Sequence, residues 1–317
     1  MISLKETYLD IYNRIDFQKI KDHPNILIAA SFWEEERYLA ARTCYKFMRA
    51  VDDLIDDHKS AGHKITDNDR QQFIDYVESW LKMIFRGDSP EPFQKELTAT
   101  IKKFRIPSWP LEAFARSMIY DIYNDGFATL QSFIDYAGGA SVAPAAIFVH
   151  LAGVRREGDH YSEPLFDVRS AALSCAIFSY LVHIVRDFQK DQLNNLNYFA
   201  DDMIARHGLT REKLAAIAGG EKIPDGFRDM IAEYMALADE YRIRTRNCIV
   251  NIWPFLEPRY RLSLEIIFDL YLMVYERIDV RRSGFTAEEF NPSPAEVAER
   301  VLGVIHNSAT LTDKPLL

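Results

Sequence analysis

Apolar residues recurring at three- and four-residue spacing constrain this chain more than any other feature of its sequence. Cys44, Phe47, Met48, Val51 and Ile55 keep that spacing, which lays them along one face of a helix. Phe73, Val77, Trp80, Leu81 and Ile84 repeat it until Gly87-Asp-Ser-Pro90 interrupts. Leu111, Phe114, Met118 and Ile122 start it again, predicting a helix capped through Ser108 with Pro110 in its first turn. Further helices are expected over roughly 167–191, 225–250 and 256–278. Strand-like alternation with hairpin turns is nearly absent. The expectation is therefore one all-α domain of about ten helices over residues 1–317, its core spanning about 20–290. The polar loop Gly219–Gly226 is where a domain break would fall if the chain were divided.

A hydrophobic content of 48% supports a substantial core. The net charge of -9 argues against nucleic acid as a partner, because phosphate backbones require a basic footprint. Cys44, Cys175 and Cys248 fit neither a disulfide framework nor a zinc spacing, and read as small buried hydrophobes. The stretch Met1–Asp10 lacks the charged-then-apolar pattern of a signal peptide. The apolar run Ala171–Val185 is short for a bilayer span and ends in Arg186-Asp187. A cytoplasmic location is the expectation.

Two acidic segments stand out against this apolar background. Residues three or four apart share a helix face, so Tyr45, Arg49, Asp52 and Asp56 form one polar stripe with Asp53 beside it. Tyr180, His183, Asp187 and Asp191 form a second stripe, with Arg186 alongside. Either stripe alone reads most simply as a solvated helix edge. Both interrupt strongly apolar helices, however, where charges rarely sit unless paired or bound to metal. Two such helices facing across a cavity would make a strongly negative site. Magnesium takes one or two carboxylates, several waters and phosphate oxygens, which suits a diphosphate. Arg49 and Arg186 can hold the outer diphosphate oxygens, and an apolar cavity beneath would take a hydrocarbon tail.

The pattern resembles the squalene/phytoene synthases, which join two prenyl diphosphates head to head. Arg49-Ala-Val-Asp-Asp-Leu-Ile-Asp56 is similar to the family's first motif, with Tyr45 one turn earlier. His183-Ile-Val-Arg-Asp-Phe-Gln-Lys-Asp191, followed by Tyr198-Phe199, is similar to the second. Asp135–Ala145 matches an intervening small-residue segment and puts Tyr136 at the family's cavity tyrosine. Asp125 sits where these enzymes keep an acid in the preceding helix, and Pro24–Ser31 looks like the phosphate-side segment. The resemblance runs from about residue 20 to 290.

The resemblance implies an isoprenoid-synthase helical bundle around a central apolar cavity. It implies Mg²⁺, or Mn²⁺ in its place, held by Asp52, Asp53, Asp56, Asp187, Asp191 and His183. Arg49, Arg186 and Asn25 would bind diphosphate. Tyr45, Tyr136 and Tyr198 would act beside the catalytic aspartates, stabilising cations or moving a proton. The implied reaction passes from prenyl diphosphates, farnesyl diphosphate foremost, through a cyclopropylcarbinyl diphosphate to a squalene- or phytoene-type product. No dinucleotide fingerprint accompanies it, so participation of NADPH stays open. A lipid product implies contact with a membrane surface. Phe47, Phe127, Phe133 and Phe148 are candidate cavity wall or ordinary core.

The chain departs from the family where His183 replaces an asparagine, Gly138-Gly139 replaces larger polar residues and Pro144-Ala145 replaces Val-Gly. The rival readings are a head-to-tail prenyltransferase or terpene cyclase, a catalytically silent scaffold member, and a di-iron bundle. His58-Lys-Ser-Ala-Gly after the first motif counts against chain elongation, where arginines would follow. The absence of paired Glu-x-x-His counts against di-iron.

Overall fold

The computed structural model describes residues 3–22, 25–60, 65–86 and 92–308. Pro24 and the break at Gly87–Pro90 lie outside them. Among the described residues the chain forms sixteen α-helices and two short 3₁₀ turns. The number exceeds ten because several are short, such as Asn25–Ala30, Phe188–Leu193 and Ala287–Phe290. One small antiparallel hairpin, Arg155–Glu157 with His160–Ser162, is the sole sheet among the described residues. Buried residues form one cluster running from Tyr8 to Ile305, wider than the sequence suggested.

The apolar stripe of the long helix Glu35–Ser60 faces inward as expected, with Cys44, Phe47, Val51 and Ile55 all buried. Leu111, Phe114, Met118 and Ile122 are buried on Ser108–Tyr123. That helix is preceded by Pro107 in extended conformation with no side-chain cap, so Ser108 is its first residue rather than its cap. The long helices Asp225–Ile252 and Pro258–Arg277 appear where periodicity placed them.

Val168–Arg186 runs through the middle, packed against Val142–Gly153 and Asp225–Ile252. Its Ala172, Ile177, Phe178, Leu181, Val182 and Val185 bury more than one face, the pattern of a core helix. Leu130–Gly153 and Val168–Arg186 are long and apolar enough by composition to cross a membrane, but 56% and 61% of their apolar windows are buried inside the bundle.

Two features fix the bundle around the site. Gly139 lets Leu130–Ala140 cross Ser108–Tyr123 closely, since a Cβ there would sit 2.1 Å from Ser117 Oγ and 2.2 Å from the Ala113 carbonyl. Across the same crossing Ser117 Oγ donates to the Tyr136 carbonyl at 2.8 Å. Elsewhere the buried Arg37 donates to the carbonyls of Leu151 and Val154 at 2.9 and 3.1 Å. Its guanidinium lies 4.4 Å from the Tyr260 ring centre and 5.3 Å from that of Tyr161, pinning the hairpin to the bundle.

Candidate functional site

The first acid stripe lies on the last turns of Glu35–Ser60. Arg49 Nη1 donates to Asp52 Oδ2 at 2.7 Å, and its other arm reaches Asp53. Asp53 keeps 48% of its side-chain surface exposed and serves as an ion-pair partner at the edge. Asp52 is raised by burial, which the Arg49 charge offsets in part. Asp56 is pushed up to about 7, first by burial and then by repulsion from Asp52 and Asp121. Half-buried Tyr45 is raised by the same desolvation. The helix thus holds two crowded carboxylates that water solvates poorly.

The third acid of this group is Asp121, on Ser108–Tyr123, and not Asp125. The helix ends at Tyr123, so Asp125 falls in the following bend, where its backbone carbonyl accepts from Arg211 Nη1 at 2.8 Å. Asp121 accepts the Tyr136 hydroxyl at 2.5 Å and lies 3.8 Å from Lys59 Nζ. Burial lifts its pKa to about 7 against both partners. The sequence signal was present, since Asp121 interrupts the apolar Met118–Ile122 face as Asp52 and Asp56 interrupt theirs.

Below the acids the aromatics pack on one another. Tyr136 meets Phe127 at 5.0 Å and Tyr180 at 6.3 Å, Phe133 stacks on Tyr180 at 5.3 Å, and Tyr198 meets Tyr180 at 6.3 Å. Burial, then Asp121, raises Tyr136 and Tyr180; burial, then Asp56, raises Tyr198, keeping all three hydroxyls protonated. Phe127 and Phe133 belong to this group. Phe47 and Phe148 do not: they pack against Trp80 and Trp33 as ordinary core.

The second stripe is not one continuous helix. Val168–Arg186 ends at Asp187, its C-cap with φ −91° and ψ 2°, and a separate short helix, Phe188–Leu193, carries Asp191. Arg186 forks onto its neighbour Asp187 at 2.8 and 2.6 Å. Burial would raise Asp187, but that fork outweighs it and holds the carboxyl low. Asp191 has no such partner and is pushed up to about 7 by burial and by Asp187. His183 is driven down to about 3 by burial and by the Arg186 charge, so it stays a neutral imidazole. Its Nε2 is buried without a hydrogen-bond partner, and its ring meets Tyr271 edge-on at 5.0 Å.

A cleft of about 650 Å³ opens beside the first region. Asp56 and Asp121 line it on one side, and the segment Gln192 to Tyr198, following the second stripe, lines it elsewhere. Asp187, Asp191, Arg49, Tyr45 and Tyr136 are not among its lining residues. Nor is Asn25, half-buried at the start of Asn25–Ala30, a helix whose remaining residues are apolar. Among the described residues no three His, Cys, Asp or Glu side chains converge into a ready-made metal cage.

The sequence profile of the squalene/phytoene synthases matches residues 21–295. A chloroplastic phytoene synthase 2 of Solanum lycopersicum is 23% identical over 226 residues, 70% of this chain and 69% of that protein. The Zea mays phytoene synthase 2 is 24% identical over 179 residues, which cover 56% of this chain and only 42% of the maize protein. Among solved structures, a dehydrosqualene synthase in complex with ligand superposes with a TM-score of 0.69 at 14% identity, covering 95% of this chain and 98% of that one. The squalene synthase HpnC from Alicyclobacillus acidocaldarius gives 0.66 at 18% identity, over 89% and 96%. The expected isoprenoid-synthase helical fold is therefore the observed one.

Proposed function

Because the chain belongs to the squalene/phytoene synthase family, we propose that it joins two prenyl diphosphates head to head, farnesyl diphosphate foremost, through a cyclopropylcarbinyl diphosphate to a squalene- or phytoene-type product. The observation that carries this reading is the buried Asp121 bonded to the Tyr136 hydroxyl beside the Tyr180 and Tyr198 rings, with Asp52 and Asp56 near enough to act on them electrostatically. Mutually repelling acids above an aromatic floor suit a charged headgroup attached to an apolar chain.

The donor set fits a hard divalent cation. His183 and the half-exposed Asp53 aside, the candidate ligands are two buried carboxylate pairs, Asp52 repelling Asp56 and Asp187 repelling Asp191, and magnesium completes its shell with water and phosphate oxygens rather than an all-protein cage. Asp52 and Asp56 would hold it on one side and Asp187 and Asp191 on the other; bound there, Mg²⁺ or Mn²⁺ would supply the positive charge that lets diphosphate leave. Arg49, now bridging Asp52 and Asp53, and Arg186, forked onto Asp187, are the guanidinium groups able to turn to diphosphate oxygens. Tyr136 keeps its proton on the bond to Asp121 Oδ2 and presents its ring to the chain. The rings of Phe127, Tyr180 and Tyr198 exclude water and face developing positive charge.

A silent scaffold role is favoured by one observation, the neutral and unpartnered His183 in the second stripe. The deciding experiment incubates the protein with farnesyl or geranylgeranyl diphosphate and Mg²⁺, with and without NADPH, and reads extract and diphosphates by mass spectrometry. A C30 or C40 product lost in Asp56→Ala and Asp187→Ala supports the synthase. Neither turnover nor diphosphate binding supports the scaffold.

A further inference from the structure

The cleft beside Asp56 and Asp121 also carries charge of the opposite sign, from Lys59, Arg70 and Arg211. Two of these cations are already committed. Lys59 Nζ donates to the Asn124 carbonyl at 2.8 Å and balances Asp121 at 3.8 Å. Arg211 forks onto Asp201 at 2.6 and 2.7 Å and donates to the Asp125 carbonyl at 2.8 Å.

Arg70 is different. Among the described residues its one ion pair runs through Nη1 to Asp67, whose side chain is 96% exposed, and pairs so exposed hold little in water. Its Nε is buried with no acceptor, so that N–H has lost solvation without gaining a bond. The guanidinium lies 5.6 Å from the centre of the Tyr123 ring, which lines the same cleft and keeps the planar fork in place. A guanidinium stacked on a ring, with its one ion pair exposed to water and in a cleft wide enough for a ligand, offers its planar fork to the paired oxygens of a phosphate.

We propose that Arg70, stacked on Tyr123, is a diphosphate anchor distinct from Arg49 and Arg186. Condensing two prenyl diphosphates requires two headgroups to be held at once, and the arginines of the acid stripes do not line this cleft. The anchor takes its natural ligand from the function proposed above, but its test does not depend on turnover. The bound group is either a substrate headgroup or the diphosphate freed by reaction.

The test is calorimetric titration of the full chain with inorganic diphosphate, and separately with a non-ionising farnesyl thiodiphosphate, first in EDTA and then with Mg²⁺. In EDTA, Arg70→Gln is expected to weaken binding of at least one probe about tenfold, the loss of a charged hydrogen bond. Weakening confined to the thiodiphosphate assigns the anchor to the substrate headgroup; weakening of inorganic diphosphate assigns it to the freed group. Tyr123→Leu, which removes only the ring beneath, should weaken the same probe less, while Asp67→Asn should not weaken it. Equal binding of both probes by the parent and Arg70→Gln overturns the proposal, as does a parent chain that binds neither. If no prenyl diphosphate is turned over yet Arg70→Gln still loses binding, the synthase reading falls and the anchor stands. Turnover with unaltered binding in Arg70→Gln means the reverse.

Discussion

Tyr136 donates its hydroxyl to Asp121 Oδ2 at 2.5 Å, tying the helix Leu130–Ala140 to the buried acid of Ser108–Tyr123. The bond favours the ionised form of a carboxyl that burial has lifted to about 7. Tyr136→Phe removes that support, so the Asp121 pKa rises further. An acid that must be ionised to act then requires a higher pH. The variant should lose about 10²-fold in kcat/KM near neutrality, with the acid limb of its pH profile displaced upward. An unmoved limb would separate the tyrosine's role from Asp121.

Three carboxyls, Asp56, Asp121 and Asp191, stand near 7 in the folded chain and near the ordinary value of 3.8 when exposed. Between those values the folded chain keeps protons that the unfolded chain has released. Their contribution to stability is full below about pH 4 and is lost as pH rises through about 7. Asp187, held low by Arg186, runs the other way. Metal-free protein should therefore melt lower at pH 8 than at pH 5, by about 5 °C. Asp56→Asn should flatten that slope while abolishing turnover, and Mg²⁺ at pH 8 should restore the melting temperature of the parent but not of the variant.

Gly138 and Gly139 are adjacent and opposite in what they tolerate. A Cβ on Gly138 meets nothing within 4 Å, whereas one on Gly139 runs into Ser117 Oγ and the Ala113 backbone. Gly138→Ala should raise stability by about 0.5–1 kcal/mol through helix propensity. Gly139→Ala should lower it by about 1–3 kcal/mol as the helices part. Because the crossing also sets the Tyr136–Asp121 bond, activity should fall with it. Chemical denaturation and turnover of both variants check this.

The core was legible because periodicity reports burial directly. Cys44, Phe47, Val51 and Ile55 on one helix, and Leu111, Phe114, Met118 and Ile122 on another, lie inside as their spacing requires. The acids of both stripes were legible because charge within apolar helices is conspicuous. Asp121 escaped because the other acid on its helix, Glu112, lies nine residues away and forms no three- or four-residue stripe with it, and its pairing with Tyr136 depends on a helix crossing that no local pattern encodes. The break at Asp187 escaped too, because apolar spacing continues through Phe188 and the interruption is set by backbone rather than by glycine or proline. Arg70 carries no sequence signal of its own in the first turn of Asp67–Arg86, because the cleft and the burial of its Nε come only from the fold.

Arg37 is a strong test of the scaffold away from the site. Arg37→Leu keeps the bulk but leaves the Leu151 and Val154 carbonyls without their donor. The cost should be about 3 kcal/mol, visible as a lower denaturation midpoint at an unchanged slope. Diphosphate binding by the folded fraction should be unaffected.

The division of the second acid motif at Asp187 gives the two motifs different mechanics. Asp52 and Asp56 are locked one helical turn apart on a single rod, so their separation resists change. Asp187 and Asp191 belong to two rods joined at a cap, bridged by the Asp191 N–H bonding to the Asp187 carbonyl at 2.8 Å. The first pair therefore sits on one continuous helix, and the second spans a one-residue break between two. If both pairs hold ions as proposed, the second is the one whose separation a change in the Asp187 backbone angles alone can alter.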